Sequence, residues 1–283
     1  MPRSVSRCEW LGLRDALRTF VSGDQAHQSS RHIKPLHWYL ACRLVIEGGF
    51  EPNDITPRPP FTVTARGDEK VLSYSQGSGG TGERTVLGGL KTKDVDVVVS
   101  KDGVGPVLAV SVKGTLKAFR NLTNRMEEAV GDCTNLHISY PALVYGFMHV
   151  MSANRAGPGV DSNDIAIESD GRVSDAIVRY HDVLSRLAGR TDLRDDPTKY
   201  EAVALALIQP DKKFPGEVLS SFPTQDSALL LEDFFRKLYE QYDRRFVYAA
   251  PSLDSVTRRN EWVFEGDIAK DARVTGYEVR KKY

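Results

Sequence analysis

Two apolar strands joined by a short turn constrain this chain more than any other feature. Lys93-Asp94-Val95-Asp96-Val97-Val98-Val99 leads through a turn at Ser100 to Pro106 into Leu108-Ala109-Val110-Ser111-Val112-Lys113-Gly114. Val95, Val97 and Val99 alternate with positions 94, 96 and 98, and Asp102-Gly103 and Gly105-Pro106 supply turn chemistry, so the segment predicts a β-hairpin. Asp94 and Asp96 share one face of the first strand. On the second, Ala109, Ser111 and Lys113 share a face, while Leu108, Val110 and Val112 occupy the other. The hairpin therefore draws an acid and a lysine together from well-separated positions.

The flanking pattern predicts an α/β protein. Helical spacing of Trp10, Leu11, Leu13, Leu17, Phe20 and Val21 suggests a first helix over Glu9 to Val21, ended by Ser22-Gly23-Asp24. A second helix is expected from Pro35 to Glu47, with proline near its start and Gly48-Gly49 beyond its end. Pro52 to Pro60 reads as a connector and Phe61 to Thr64 as a short strand. After the hairpin come a helix over Ala118 to Gly131 and a buried strand over Leu143 to Val150. Further on, the pattern predicts a strand at Ile165 to Ile167, a helix from Ser174 to Leu187, a strand from Ala202 to Ile208 and a helix from Ser227 to Tyr242. No repeat or clear linker divides the chain, so residues 1–283 are expected to form one α/β domain. Its catalytic core would span about residues 35–150, with additions over residues 151–283 for recognition or dimerisation.

Gln76 to Leu90 is rich in glycine but lacks the Gly-Lys-Ser/Thr ending of a phosphate-binding loop, so it reads as a surface connection. No apolar run approaches the roughly 18 to 20 residues that span a bilayer. Met1-Pro2-Arg3-Ser4-Val5-Ser6-Arg7 leads into no signal-peptide core. Cys8, Cys42 and Cys133 lie far apart without paired spacing, which fits a reducing cytoplasm and argues against disulfides or a zinc knuckle. Lysines and arginines together number 38, as do the acids, giving a formal net charge of zero. That balance does not exclude a polyanionic partner, because phosphate contacts need only local positive charge.

The hairpin carries chemistry. A cation that assists phosphodiester hydrolysis needs oxygen ligands and open positions for water and phosphate. A nearby lysine can orient the attacking water and offset developing negative charge. Either Asp94 or Asp96 satisfies parity; Asp96 is preferred because it immediately precedes the apolar run. Taken singly, the two aspartates read as edge-strand charges, Lys113 as a solvated lysine and Glu127-Glu128 as an exposed helix face. Their joint order on successive elements is what points to a nuclease. His32, His37, His137 and His149 have no metal-ligand spacing with a partner and read as ordinary helix or strand residues. No Gly-x-Ser-x-Gly elbow surrounds Ser111.

These residues resemble the PD-(D/E)XK nuclease superfamily, and within it the type II restriction endonucleases. The resemblance rests on an acid, a variable hairpin and a second motif standing here as Ser111-Val112-Lys113. It implies a restriction-endonuclease-like core, a central mixed β-sheet flanked by helices, and a Mg2+-dependent site. A subgroup acting on CCGG-type sites shares the Ser-x-Lys form and takes its missing carboxylate from the following helix. Glu127 matches that subgroup's spacing, with Glu128 as the alternative, so the resemblance assigns the metal to Asp96 and Glu127. Ser111 marks the vacated acid position, and Lys113 acts on the attacking water. The subgroup's larger separation between first acid and lysine would reach back to Asp54. Glu47 is the candidate for a glutamate on the first core helix that assists the site.

The resemblance further implies sequence-specific cleavage of double-stranded DNA. A palindromic target implies a homodimer, and a companion DNA methyltransferase would act separately. Lys117, Arg120, Asn121, Asn124 and Arg125 follow the catalytic strand and are the candidate DNA contacts, since arginine reads guanine and asparagine adenine through bidentate hydrogen bonds. Two rival expectations remain: a repair or modification-dependent nuclease of the same fold, and a non-catalytic DNA-binding relative.

Overall fold

A computed structural model of the chain describes residues 7–22 and 30–280. Its centre is a mixed five-stranded sheet ordered β1-β6-β7-β8-β9, made of Ile55–Thr56 (β1), Val97–Lys101 (β6), Gly105–Thr115 (β7), Val144–Ser152 (β8) and Ala202–Ile208 (β9). β1, β6 and β7 are successively antiparallel, whereas β7, β8 and β9 are parallel. Every residue of β8 and β9 is buried. Such continuous apolar strands require cover on both faces of the sheet.

Helices provide that cover. Leu13–Ser22 (α1), Lys34–Ile46 (α2) and Leu231–Tyr242 (α5) pack on the face carrying Val97, Leu108, Val110, Met148 and Ala204. Leu122–Ser139 (α3) and Asp175–Leu187 (α4) pack on the face carrying Val98, Ala109, Tyr145, Phe147 and Leu205. α2 is buried nearly all round, and Pro35 opens it while Gly49, at φ 71°, follows its end. A side chain at Gly114 would meet the Phe20 ring at 2.6 Å, so glycine there lets α1 close over the carboxyl end of β7. No helix among the described residues is long and apolar enough to cross a membrane. The three cysteines are free and buried.

Two small sheets flank the sandwich. Phe61–Arg66 (β2) pairs antiparallel with Glu69–Tyr74 (β3), and Trp262–Phe264 (β10) joins β3 in parallel. Arg84–Leu87 (β4) pairs with Thr92–Val95 (β5).

The expected hairpin forms, but its first strand is not continuous. The chain bends at Asp96: β5 leaves to pair with β4, and β6 enters the central sheet at Val97. The helix expected over Ala118 to Gly131 begins instead at Leu122 and runs to Ser139. Ala118 is left-handed at φ 59°, its N–H donates to Asp164 Oδ1 at 2.7 Å, and a 3-10 turn at Phe119–Asn121 precedes the helix. That backbone cannot continue a right-handed helix. Ile165 to Ile167 forms no strand, only isolated bridges at Ile167, and α5 starts at Leu231 instead of Ser227. The first helix begins at Leu13; Gly23 and Asp24, expected to end it, lie outside the described residues, as does the opening stretch 1–6.

Candidate active site

Bending the chain at Asp96 gives the two aspartates of the first strand different surroundings. Asp94 lies opposite Thr85 in the small β4–β5 sheet and accepts that residue's hydroxyl hydrogen bond at 2.5 Å. Asp96 stands at the start of β6, where Val97 pairs with Val110 of β7. Its Oδ2 accepts the Val112 backbone N–H at 2.7 Å and the Ser111 hydroxyl at 3.3 Å. Two donors from the second strand thus fix one oxygen of the carboxylate. The other, Oδ1, lies 3.6 Å from His37 Nε2 on α2. Ser111 therefore works as a clamp on Asp96.

Lys113 lies two residues farther along β7, on the face shared with Ser111. Its Nζ donates to Glu128 Oε1 at 2.9 Å, and Arg125 Nη1 donates to Glu128 Oε2 at 2.8 Å. Burial pushes the Glu128 carboxyl up, but the hydrogen bonds and charges of Lys113 and then Arg125 outweigh it and hold the group down at about 2. Glu127 is exposed and makes no hydrogen bond or ion pair among the described residues. Of the two neighbouring glutamates, the structure brings Glu128 to the lysine and leaves Glu127 outside.

Glu47, buried at the end of α2, is engaged elsewhere. Arg43 Nε donates to its Oε2 at 2.6 Å, and the Glu278 N–H donates to its Oε1 at 2.6 Å. Asp54 pairs with Lys101 at 2.7 Å, at the opposite end of β6 from Asp96. Neither residue belongs to the cluster around Asp96.

Two further residues do belong to it: His37, which the sequence reads as an ordinary helix residue without a metal-ligand partner, and Glu83, which no sequence motif marks. A nitrogen of His37 and carboxylate oxygens of Glu83 and Asp96 all lie within 4.8 Å of one another. His37 comes from the first turn of α2 and Glu83 from the glycine-rich stretch just before β4. The His37 side chain is only 5% exposed, and its Nε2 has no hydrogen-bond partner among the described residues. Burial lowers the His37 pKa below the ordinary histidine value; Asp96 opposes this, and Lys34 and Lys113 reinforce it. The Glu83 carboxyl is raised, first by burial and then by the charge of Asp96. An unpartnered nitrogen facing two carboxylates is a donor set that suits a divalent cation.

A neutral hydrogen-bonded chain lies beside the lysine. Lys113 is paired in register with His149 of β8. His149 is fully buried; its Nε2 bonds Thr115 Oγ1 at 2.8 Å and its Nδ1 bonds the Tyr180 hydroxyl at 2.6 Å. Burial first, then the charges of Arg125 and Lys113, push its pKa down to about 3. The uncharged ring satisfies both bonds, one nitrogen donating and the other accepting.

The expected DNA contacts follow this chemistry on the surface. Lys117 is half-buried, while Arg120, Asn121, Asn124 and Arg125 are exposed around the start of α3. Arg125 alone among these five is held in an ion pair with Glu128. No family model, curated protein or solved structure matches this chain.

Proposed function

We propose that this protein is a divalent-metal-dependent endonuclease that hydrolyses double-stranded DNA at a short specific sequence. In this reading it is a type II restriction endonuclease on a PD-(D/E)XK-type core. One observation carries the reading: Asp96 is clamped across the hairpin by Ser111 and Val112, while Lys113 on the same strand meets Glu128 of the next helix. Acid, lysine and helix-borne acid thus stand on adjoining elements towards the carboxyl end of β7, with Arg120 and Arg125 exposed around the start of α3.

The division of labour follows from the geometry. A bound divalent cation, Mg2+ in the simplest case, would polarise a phosphodiester oxygen and make water a better nucleophile. Asp96 offers Oδ1 to such an ion because Oδ2 is already committed to the neighbouring strand. Lys113 holds a positive charge beside the hairpin, where it can orient water and offset charge on the phosphate. Glu128, itself held by Arg125, fixes the lysine's ammonium group, a positioning role distinct from the metal-ligand role that the resemblance gives to Glu127. Lys117 and Arg120 supply phosphate contacts, and Asn121 and Asn124 offer amides to base edges. Two copies would read a palindromic site, and a separate DNA methyltransferase would protect the same sequence in the host.

Replacement of Lys113 by alanine tests this function. The expected outcome is loss of Mg2+-dependent plasmid cleavage, with salt-sensitive DNA binding retained. Discrete fragments from a sequenced, unmethylated plasmid would identify the site read by the unaltered protein. Undiminished cleavage by Lys113→Ala would overturn the assignment.

A further inference from the structure

The cluster at the start of β6 has a composition that selects among cations. Its three donors come from α2, the loop before β4 and the bend at Asp96, so folding itself assembles them. The His37 ring is buried, yet Nε2 finds no hydrogen-bond partner among the described residues. Leaving a buried polar atom unpaired is costly, so such atoms nearly always meet a partner or a ligand. Asp96 Oδ1 faces this nitrogen at 3.6 Å, because Ser111 and Val112 occupy Oδ2. Glu83 is exposed and offers the solvent-facing ligand, leaving room for water or phosphate on the open side.

We infer that His37, Glu83 and Asp96 form a mixed nitrogen–oxygen site that binds Mn2+ in preference to Mg2+. Mg2+ favours an all-oxygen octahedron and gives up its waters reluctantly. Imidazole is a softer donor, and affinity for it rises along the first transition row from Mn2+. Mn2+ accepts both imidazole and two hard carboxylates, which makes it the first-row ion closest to Mg2+ that gains from His37. Two carboxylates also neutralise the ion's double charge. The inference deepens the nuclease reading by naming its cation, and rests on that reading for the cation's use in cleavage. Metal binding itself needs no DNA.

The test uses the full chain after chelation, titrated with Mn2+ alone and then with Mg2+ as competitor. Free Mn2+ is followed by electron paramagnetic resonance, and bound Mn2+ is examined by electron spin echo for coupling to a ligand nitrogen. One Mn2+ per chain is expected, displaced only by a Mg2+ excess of about tenfold or more, with nitrogen coupling present. His37→Gln should abolish the coupling, and Glu83→Gln on the exposed loop should weaken Mn2+ binding by about tenfold or more. Failure of wild-type protein to show nitrogen coupling overturns the inference, whether or not His37→Gln folds. Equal competition by Mg2+ does the same. Nitrogen-coupled Mn2+ in a protein that cuts no plasmid leaves the metal site standing and sinks the nuclease reading. Mg2+-supported cleavage without any nitrogen coupling has the opposite meaning.

Discussion

At the scale of single residues, the contrast between Glu127 and Glu128 shows how helix phase decides chemistry. Adjacent residues on a helix point about 100° apart, so only one can share a stripe with Arg125, three positions earlier, and Asp132, four later. Glu128 shares it and reaches Lys113, whereas the stripe of Glu127 continues to exposed Gly131. Glu128→Gln is therefore expected to lower the cleavage rate at least about tenfold, while Glu127→Gln leaves it within about twofold. Plasmid-cleavage time courses of the two variants check this, and the reverse ranking would refute the assignment of Glu128. Asp96, Ser111 and Lys113 were legible in the sequence because a strand's alternation is local and fixes which side chains share a face. His37 and Glu83 were not. α2 is buried almost all round and shows no stripe aimed at the site, while Glu83 stands in a glycine-rich stretch without periodicity.

Elements set the electrostatic climate of that site. β7, β8 and α4 contribute Thr115, His149 and Tyr180 to one buried chain, and the lysine's neighbourhood stays tolerable only while the imidazole is neutral. An unfolded histidine titrates near 6.5, whereas His149 in the fold stays neutral down to about pH 3. The unfolded state thus binds the extra proton first as pH falls. Stability from this residue is fully present above pH 6.5 and declines towards pH 3, by at most about 1.4 kcal/mol per pH unit. Urea unfolding at a series of pH values should show a shallower loss below pH 6.5 in His149→Gln than in wild type. Parallel curves would remove His149 as the cause. The strands were readable from their apolar runs, most clearly at Ala202–Ile208, where expected and observed bounds coincide. The bend at Asp96 was hidden because both of its sides carry β-like sequence. The delayed start of α3 was hidden because it depends on Ala118 meeting Asp164, 46 residues away.

Over the whole molecule, residues 151–280 complete the structure that holds the site. They supply β9 to the central sheet, α4 and α5 to its two faces, and β10 to the outer sheet. Trp262 Nε1 donates to the Val45 carbonyl at 2.7 Å, and the Tyr277 hydroxyl donates to that of Leu11 at 2.7 Å. A polar tie at their core is Glu201, whose side chain is fully buried. Its Oε1 meets Arg190 at 2.8 Å and Arg245 at 2.7 Å, and its Oε2 accepts the Tyr145 N–H at 2.7 Å. Removing one partner of a buried ion pair leaves its counterpart unpaired in a low-dielectric interior. Glu201→Gln strands two arginines at once and is expected to cost about 3–5 kcal/mol, read from the shift of the guanidinium unfolding midpoint. A loss below about 1 kcal/mol would show that the network contributes little to the fold.

The short strand β1 has a consequence for assembly. Only Ile55 and Thr56 pair with β6, and Pro57 follows them directly. At the opposite edge, the Leu205 N–H donates to the Leu229 carbonyl, and the Leu219 N–H donates to that of Leu207. One margin of the sheet is too short to template a further strand, and the other is already covered by the chain's own backbone. Two copies brought together on DNA would therefore meet through helices and loops, with no sheet running from one subunit into the next, and the same margins guard the folded protein against fibrillar stacking.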